Sequence, residues 1–292
     1  ILSEHQRALL ESPQAPIVIL PQKDDSDIAP SVAEGTDSYG FMLCYAPVHH
    51  LLFQHGIEVL IMTSGNISGE PLIKDNSRAL EKLSAAADIF LIHNRDIFRS
   101  IDDSVVHTIN NRPVMLRRAR GYVPSPVMME NTSECQILAA GSDLKNTFCL
   151  VKGNRLIVSE HTGDLEDASV YRNYSRSIEQ LCGLFDIRPE LFACDLHPQY
   201  FSSRHIRTMS TKKTVKVQHH WAHIASVMAE HGLSRPVIGI AADGTGYGDD
   251  GAVWGCECLI ASLHGYERFA HLAYFDIPGA DRASIEAVRP LT

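Results

Sequence analysis

The sequence predicts an α/β protein of two successive domains, divided near residues 122–135. Three observations predict it. Short apolar runs of strand length alternate with helix-patterned segments in both halves. The stretch RGYVPSPVMMENTSEC, punctuated by Gly121, Pro124 and Pro126, interrupts that pattern once. After the interruption the chain restarts with strands before returning to alternation. At 292 residues it is long enough to bury two cores.

In the first domain, residues 1–125, Ala15–Leu20 (APIVIL) and Ile57–Ser64 (IEVLIMTS) are apolar runs that stop at polar or turn-forming residues, as strands do. Asn76–Ala87 has helical spacing, and Asn76 suits the N-cap, where its short side chain can accept a backbone N–H. Ile89–His93, Ser104–Ile109 and Pro113–Leu116 read as further strands. In the second domain, residues 136–292, strands are expected at Gln136–Ala140, Thr147–Lys152 and Leu156–Glu160, with Gly153-Asn154 as a hairpin turn between the last two. A long helix over Ala168–Phe185 follows, then strand Leu191–Asp195, another helix and strand Val215–Gln218. The segment VQHHWAHIASVMAEHGL is helical, strand Pro236–Ala242 comes next, and a glycine-rich turn leads into strand Ala252–Ile260. Antiparallel strands followed by alternating β and α form the pattern of a ribonuclease-H-like or actin-like ATPase domain.

Composition excludes several function classes. A chain 45 % hydrophobic and 21 % charged has ordinary globular composition. No apolar run nears the roughly 20 residues that span a bilayer, and the first residues lack the basic-then-apolar layout of a signal peptide. The net charge of −9 argues against a nucleic-acid-binding surface. Seven cysteines without a CxxC pair fit free thiols in a reducing, cytoplasmic setting.

The densest chemistry lies in the histidine helix. At 100° per residue, His219, His223, Ser226 and Glu230 fall within about 60° of one another, opposite Trp221, Ile224, Ala225 and Met228. That stripe is either a solvated polar face or, because two imidazoles four residues apart can reach one ion, half of a metal site. HExxH protease chemistry is excluded, since His220 occupies the glutamate position. Asp243, at the end of the next strand, is placed to join the pair, or else caps the glycine turn after it. Gly246, Gly248 and Gly251 spell GxGxxG, but the residues that follow alternate like a strand. A hairpin is expected there, not a dinucleotide fold, and its N–H groups either cradle phosphate or simply close a turn. GSDLKN (141–146) offers Asp143, Lys145 and Asn146 in a similar position between strands. In the first domain TSGNISGEP groups Thr63, Ser64 and Asn66, and Arg95, Arg99, Ser104, Arg117, Arg118 and Arg120 follow, a set suited to phosphate or nucleotide.

In their order, TSGNISGEPL, HNRDIFRSIDDSVV, LRRARGYVPSP, GSDLKNTFCL, ACDLHPQY, VQHHWAHIAS and DGTGYGDDGAVWGCECL resemble the HypF family, the carbamoyltransferases of nickel–iron hydrogenase maturation. The resemblance runs over nearly the whole chain. It implies a YrdC-like first domain and a second domain similar to the tRNA threonylcarbamoyltransferase TsaD, both incomplete. It implies that ATP, with Mg, and carbamoyl phosphate form carbamoyl adenylate in the first domain. The carbamoyl group would then pass to the C-terminal cysteine of HypE and become a cyanide ligand of the hydrogenase iron. Under it Thr63, Ser64 and Asn66 bind nucleotide, Ser104 and Arg118, or another arginine of RRAR, lie in segments lining the same pocket, and Lys145, Asn146, Gly244 and Gly246 form phosphate loops. His219, His223 and Asp243 hold a divalent metal, zinc or iron. Asp195 and His197 either lie near that metal or are structural. No nucleic-acid or membrane partner is implied.

The chain departs from the family pattern. The acylphosphatase-like domain, the zinc-finger pairs, the start of the YrdC-like domain and a last aspartate ligand have no counterpart here. Cys44, Trp221 and Cys256 stand where proline, histidine and glycine are usual. Two other readings stay open, a tRNA threonylcarbamoyl-modifying enzyme and a non-catalytic metal- or nucleotide-binding remnant. The departures predict that this chain alone does not complete the reaction. Carbamoyl-phosphate-dependent ATP turnover on the isolated chain checks this, and robust turnover contradicts it.

Overall fold

The computed structural model describes residues 2–23, 25, 28–67, 70–209, 213–275 and 278. They form two compact units. One comprises residues up to Pro126 with Leu144–Thr147 and Ile157–Gly183; the other comprises Val127–Asp143, Phe148–Leu156 and residues from Leu184 onward. Each is a mixture of helices and sheet.

The first unit opens with helix α1 (Glu4–Leu10), started by a capping box in which Ser3 and Gln6 satisfy each other's backbone N–H groups. Leu10 packs with Val18 and Leu20, the inward positions of strand β1 (Ile17–Pro21). Strand β1 pairs antiparallel with β2 (Ser38–Phe41). Helices α2 (Pro47–Phe53) and α3 (Asn76–Leu83) precede β3 (Val105–Ile109), which runs parallel to β1, and β4 (Arg112–Arg117) closes the order β2-β1-β3-β4. Asn110 and Asn111, at φ 50° and 59°, make the two-residue turn between β3 and β4. Asparagine tolerates that left-handed backbone, which matches the twist of a hairpin. Helix α4 (Ala168–Phe185) has the predicted bounds and buries Val170, Tyr174, Ile178 and Leu181 on one stripe.

Several expectations for this unit are corrected. Ile57–Ser64 and Ile89–His93 belong to no sheet among the described residues, and their apolar side chains face outward, Ile89 at 88 % and Leu91 at 77 % exposure. An apolar run signals a surface to be buried, whereas a strand also needs a neighbour for its backbone groups. Helix α3 has Asp75, not Asn76, at its N-cap, because the Asn76 amide instead donates to the His93 carbonyl at 2.6 Å.

The second unit contains β5 (Val127–Ala139), β6 (Cys149–Val158), β7 (Leu191–Asp195), helix α5 (Phe201–Met209) and β8 (Thr214–Val217). The sheet order is β6-β5-β7-β8, antiparallel at β5–β6 and parallel elsewhere. Here too the expectations need revision. Much of the stretch read as irregular is the start of β5. The predicted hairpin at Gly153-Asn154 is a single strand, with Gly153, at φ 62°, paired to Ser133 between two register shifts. The glycine's positive φ serves an irregularity within the ladder rather than a chain reversal.

Helix α6 (His219–Glu230) leads to β9 (Val237–Ala241), the small hairpin β10 (Gly246–Tyr247) with β11 (Val253–Trp254), then β12 (Glu257–Ser262) and β13 (Gly265–His271). The sheet order is β13-β12-β9. The strand expected at Ala252–Ile260 is divided at Gly255-Cys256, where Cys256 has φ 54°. Ile224 and Met228 of α6 pack on Ala241, Leu259 and Ala261 of that sheet. Fully burying each such side chain contributes about 1.5–3 kcal/mol. Gly239 permits the approach, since a Cβ there would lie 2.4–2.7 Å from three Ile224 carbons.

Gly239→Ala is therefore expected to cost about 1–3 kcal/mol by overpacking. Combined with Ile224→Ala, which opens space at the same point, the loss should be smaller than the sum of the two single changes. Thermal denaturation of the four proteins measures this, and strict additivity contradicts it.

Candidate functional site

In the second unit, the parallel pairing of β7 with β8 sets Asp195 opposite Val217 at their carboxyl ends. Two residues beyond Val217, helix α6 begins. Gln218 caps it, its Oε1 accepting the Trp221 N–H at 2.9 Å. That start brings His219 beside Asp195, with Nδ1 2.7 Å from Asp195 Oδ2. His223, one turn later, puts its Nε2 3.2 Å from that of His219. Asp243 follows the end of β9, and its Oδ2 lies 3.0 Å from His219 Nε2, 3.7 Å from His223 Nε2 and 4.0 Å from His220 Nε2.

One ligand atom from each of His219, His223 and Asp243 falls within 4.8 Å of the others, close enough to share an ion. The donor set suits one. Asp243 Oδ2 is buried without a hydrogen bond, because its approach to His219 has ion-pair distance but not hydrogen-bond direction. Asp195 adds the usual support for a ligating imidazole. By accepting Nδ1–H it leaves Nε2, on the Asp243 side, as the nitrogen that an ion would take. The same geometry sets the charges. The hydrogen bond to Asp195, then the Asp243 carboxylate 3.0 Å from Nε2, push the His219 pKa up to about 9. His219, then His223, hold the Asp243 carboxyl far below the usual carboxylate range. Burial, then Asp195, Asp143 and Asp243, push the Tyr200 phenol up to about 12. Tyr200 stacks on His197 at 4.2 Å between ring centroids, and His197 meets Tyr247 edge-on.

His220 does not face solvent: its side chain is 0 % exposed, and burial pushes its pKa down. Gly246 has a packing reason to be glycine, since a Cβ would sit 2.5 Å from His220 Cε1 and 3.0 Å from His219 Cβ. Gly244 has open space and is exposed. Asp143, grouped with the phosphate loop in the sequence, instead accepts the Phe201 and Ser202 N–H groups at 2.8 and 3.0 Å, capping α5.

The remaining residues lie in the first unit, around a cavity of about 740 Å³ lined by Ser64, Asn66, Arg118 and Lys145. Asn66 folds TSGN into a loop by donating to the Ile67 and Glu70 carbonyls and accepting from Ser64 Oγ. Arg118 Nη2 donates to the carbonyls of Tyr122 and Ser125. Thr63 is exposed and not in the cavity wall. Ser104 is fully buried; its hydroxyl donates to the Arg120 carbonyl and accepts the Ala119 N–H, so it ties chain segments together. Lys145, at φ 47°, is set by its own N–H bonding Asp164 Oδ1, while Asn146 is buried in backbone pairing with Gly163. Arg99, Arg117 and Arg176 add cations to the wall. Glu160, which the sequence reading missed, accepts from both Arg99 and Ser177 Oγ. Nothing in its local sequence distinguishes it from any strand-end glutamate.

Asp195→Asn should weaken zinc binding by about 10–100-fold while leaving the fold intact, as loss of a ligand's outer partner does. Chelator competition with circular dichroism checks this, and unchanged affinity contradicts it.

Comparison with known proteins adds the family. Residues 132–230 match a model described as the HypF Kae1-like domain, and residues 239–292 match the carbamoyltransferase Kae1-like domain, second subdomain. Residues 1–119 match the Sua5/YciO/YrdC model, described as telomere recombination. The chain is 43 % identical to the carbamoyltransferase HypF of Synechocystis sp. over 94 % of its own length and 36 % of the relative's. Against that of Rhizobium leguminosarum it is 41 % identical over 98 % and 38 %. A crystal structure of full-length HypF in the phosphate- and nucleotide-bound form superposes with TM-score 0.92 at 46 % identity, covering 97 % of this chain and 45 % of that one. The crystal structure of T. kodakarensis HypF gives TM-score 0.90 at 36 % identity, covering 99 % of this chain and 38 % of that one. The chain thus spans under two fifths of the length of these curated relatives, and along the sequence a YrdC-like segment is followed by Kae1-like ones, the first compact unit including residues 144–147 and 157–183 of the latter. By sequence and by fold, it belongs to the HypF family.

Proposed function

We propose that this chain supplies the carbamoyl-adenylate-forming and carbamoyl-transfer segments of a cytoplasmic HypF carbamoyltransferase. ATP, with Mg, and carbamoyl phosphate are the substrates, and the C-terminal cysteine of HypE is the acceptor, for cyanide ligand synthesis in nickel–iron hydrogenase maturation. The observation that carries this reading is the convergence of His219, His223 and Asp243 in a chain that matches two HypF models.

In this reading His219, His223 and Asp243 hold a divalent ion, zinc or ferrous iron, as imidazole and carboxylate donors suit either. When bound, the ion stabilises negative charge on phosphate or carbamoyl oxygens. Asp195 orients His219, and exposed Gly244 lets a phosphate approach the backbone closely. In the first unit Ser64, Asn66, Arg118 and Lys145 bind the nucleotide and phosphate groups around the 740 Å³ cavity. Hydroxyl, amide and guanidinium donors on one wall satisfy phosphate oxygens, and forked guanidinium groups fix their orientation. Thr63 acts from the rim, and Ser104 supports the site through the segment that carries Arg118. The net charge of −9 and the lack of an apolar helix long enough to cross a membrane, among the described residues, are consistent with a protein acceptor.

Elemental analysis of the purified chain should find about one zinc or iron per molecule, as expected for one set of three protein ligands with an open position, the set found among the described residues. His219→Ala should lose it; full metal content in that variant contradicts the site. For the activity, the full-length polypeptide containing this chain should add one carbamoyl group to the HypE C-terminal cysteine. Intact-mass measurement reads this, and an unmodified HypE contradicts the acceptor assignment.

A further inference from the structure

Three imidazoles approach Asp243, yet the third, His220, has a different character. Its side chain is fully buried, its Nε2 has no hydrogen-bond partner, and that nitrogen stands 4.0 Å from Asp243 Oδ2. Oδ2 is itself buried and without a hydrogen bond. A buried donor and a buried acceptor that each lack a partner cost free energy unless they meet.

The tautomer of His220 follows from its neighbour. Gln218 Oε1 accepts the Trp221 N–H at the start of α6, so the opposite end of that amide carries the NH₂ group. This NH₂ donates to the Tyr247 carbonyl at 3.3 Å and lies 3.1 Å from His220 Nδ1. An amide NH₂ can only donate, so Nδ1 must accept, and the ring proton must sit on Nε2. Reversing the Gln218 amide would set its NH₂ against the Trp221 N–H. The ring is also held in place, because the backbone at Gly246 passes so close that a Cβ would lie 2.5 Å from Cε1 and 2.9 Å from Nδ1.

We propose that His220 is a positioning residue of the metal centre: its protonated Nε2, 4.0 Å from Asp243 Oδ2, faces that carboxylate and steadies it electrostatically beside His219 and His223, so His220 is not a third imidazole ligand. Its consequence for metal binding rests on the metal reading above; its tautomer and its approach to Asp243 do not. Outer partners of this kind are expected to change affinity rather than the number of ions bound. Glutamine can place its Nε2 near the position of the imidazole Nε2 and still donate, whereas leucine fills the space and cannot.

Long-range nitrogen–proton correlation spectra of this chain should show His220 with Nε2 protonated and Nδ1 bare, before and after zinc is added. The His220 signal should move in Asp243→Asn. By chelator competition, His220→Leu should bind zinc about 10–100-fold more weakly at unchanged stoichiometry, and His220→Gln should stay close to the parent. A proton on Nδ1, a His220 Nε2 shift typical of a metal-bound nitrogen, or His220→Leu binding as tightly as the parent overturns the proposal. A parent chain that binds no zinc overturns the metal reading instead, and the tautomer with its response to Asp243→Asn then decides the role of His220.

Discussion

The His219 ring is gripped from both sides, with Nδ1 2.7 Å from Asp195 and Nε2 3.0 Å from Asp243. Much else in the second unit serves that grip. Asp195 ends β7, His219 follows the end of β8, and Asp243 follows the end of β9, so three strand ends deliver the three groups. Ligands in open α/β sheets gather outside the carboxyl ends of strands, where the chain turns and side chains are free of the ladder. The distance between Asp243 and the helix depends in turn on how closely α6 lies on β9. Gly239 sets that distance by leaving room for Ile224, and Gly246 does the same for His220.

The first unit solves a different problem, the concentration of cations. Arg99, Arg117, Arg118, Lys145 and Arg176 line one cavity and would repel one another in the absence of anions. Glu160, buried and bonded to Arg99 and Ser177, and Asp164, bonded to the Lys145 backbone, supply part of the balance. Arg118 Nη2 donates to the Tyr122 and Ser125 carbonyls, which fixes its guanidinium in the cavity wall. A guanidinium fixed in this way is well suited to meet a phosphate.

Much of this was legible in the sequence, for definable reasons. Helix Ala168–Phe185 and strand Leu191–Asp195 have the bounds their apolar periodicity predicts, because period and burial agree there. The hairpin after Asp243 was legible because alternation after GxGxxG excluded a helix. Ile57–Ser64 and Ile89–His93 were not, because pairing is non-local and no pattern within a segment reveals its neighbour. Gly153 misled because a positive φ serves a strand irregularity as readily as a turn. His220 carried an overlooked signal: it lies about 100° from His219 on the helical wheel, nearer to Ile224 than to the polar stripe. Gln218 was invisible, since its role depends on the orientation of one amide against two neighbours.

In the proposed site a divalent ion is held by two of the three neighbouring histidines and by Asp243. X-ray absorption at the zinc edge of the zinc-loaded chain tests it most directly. The expected shell is nitrogen and oxygen only, at about 2.0–2.1 Å, with scattering from two imidazole rings and no sulfur. A sulfur ligand from one of the seven cysteines, or a count of imidazoles other than two, would contradict it.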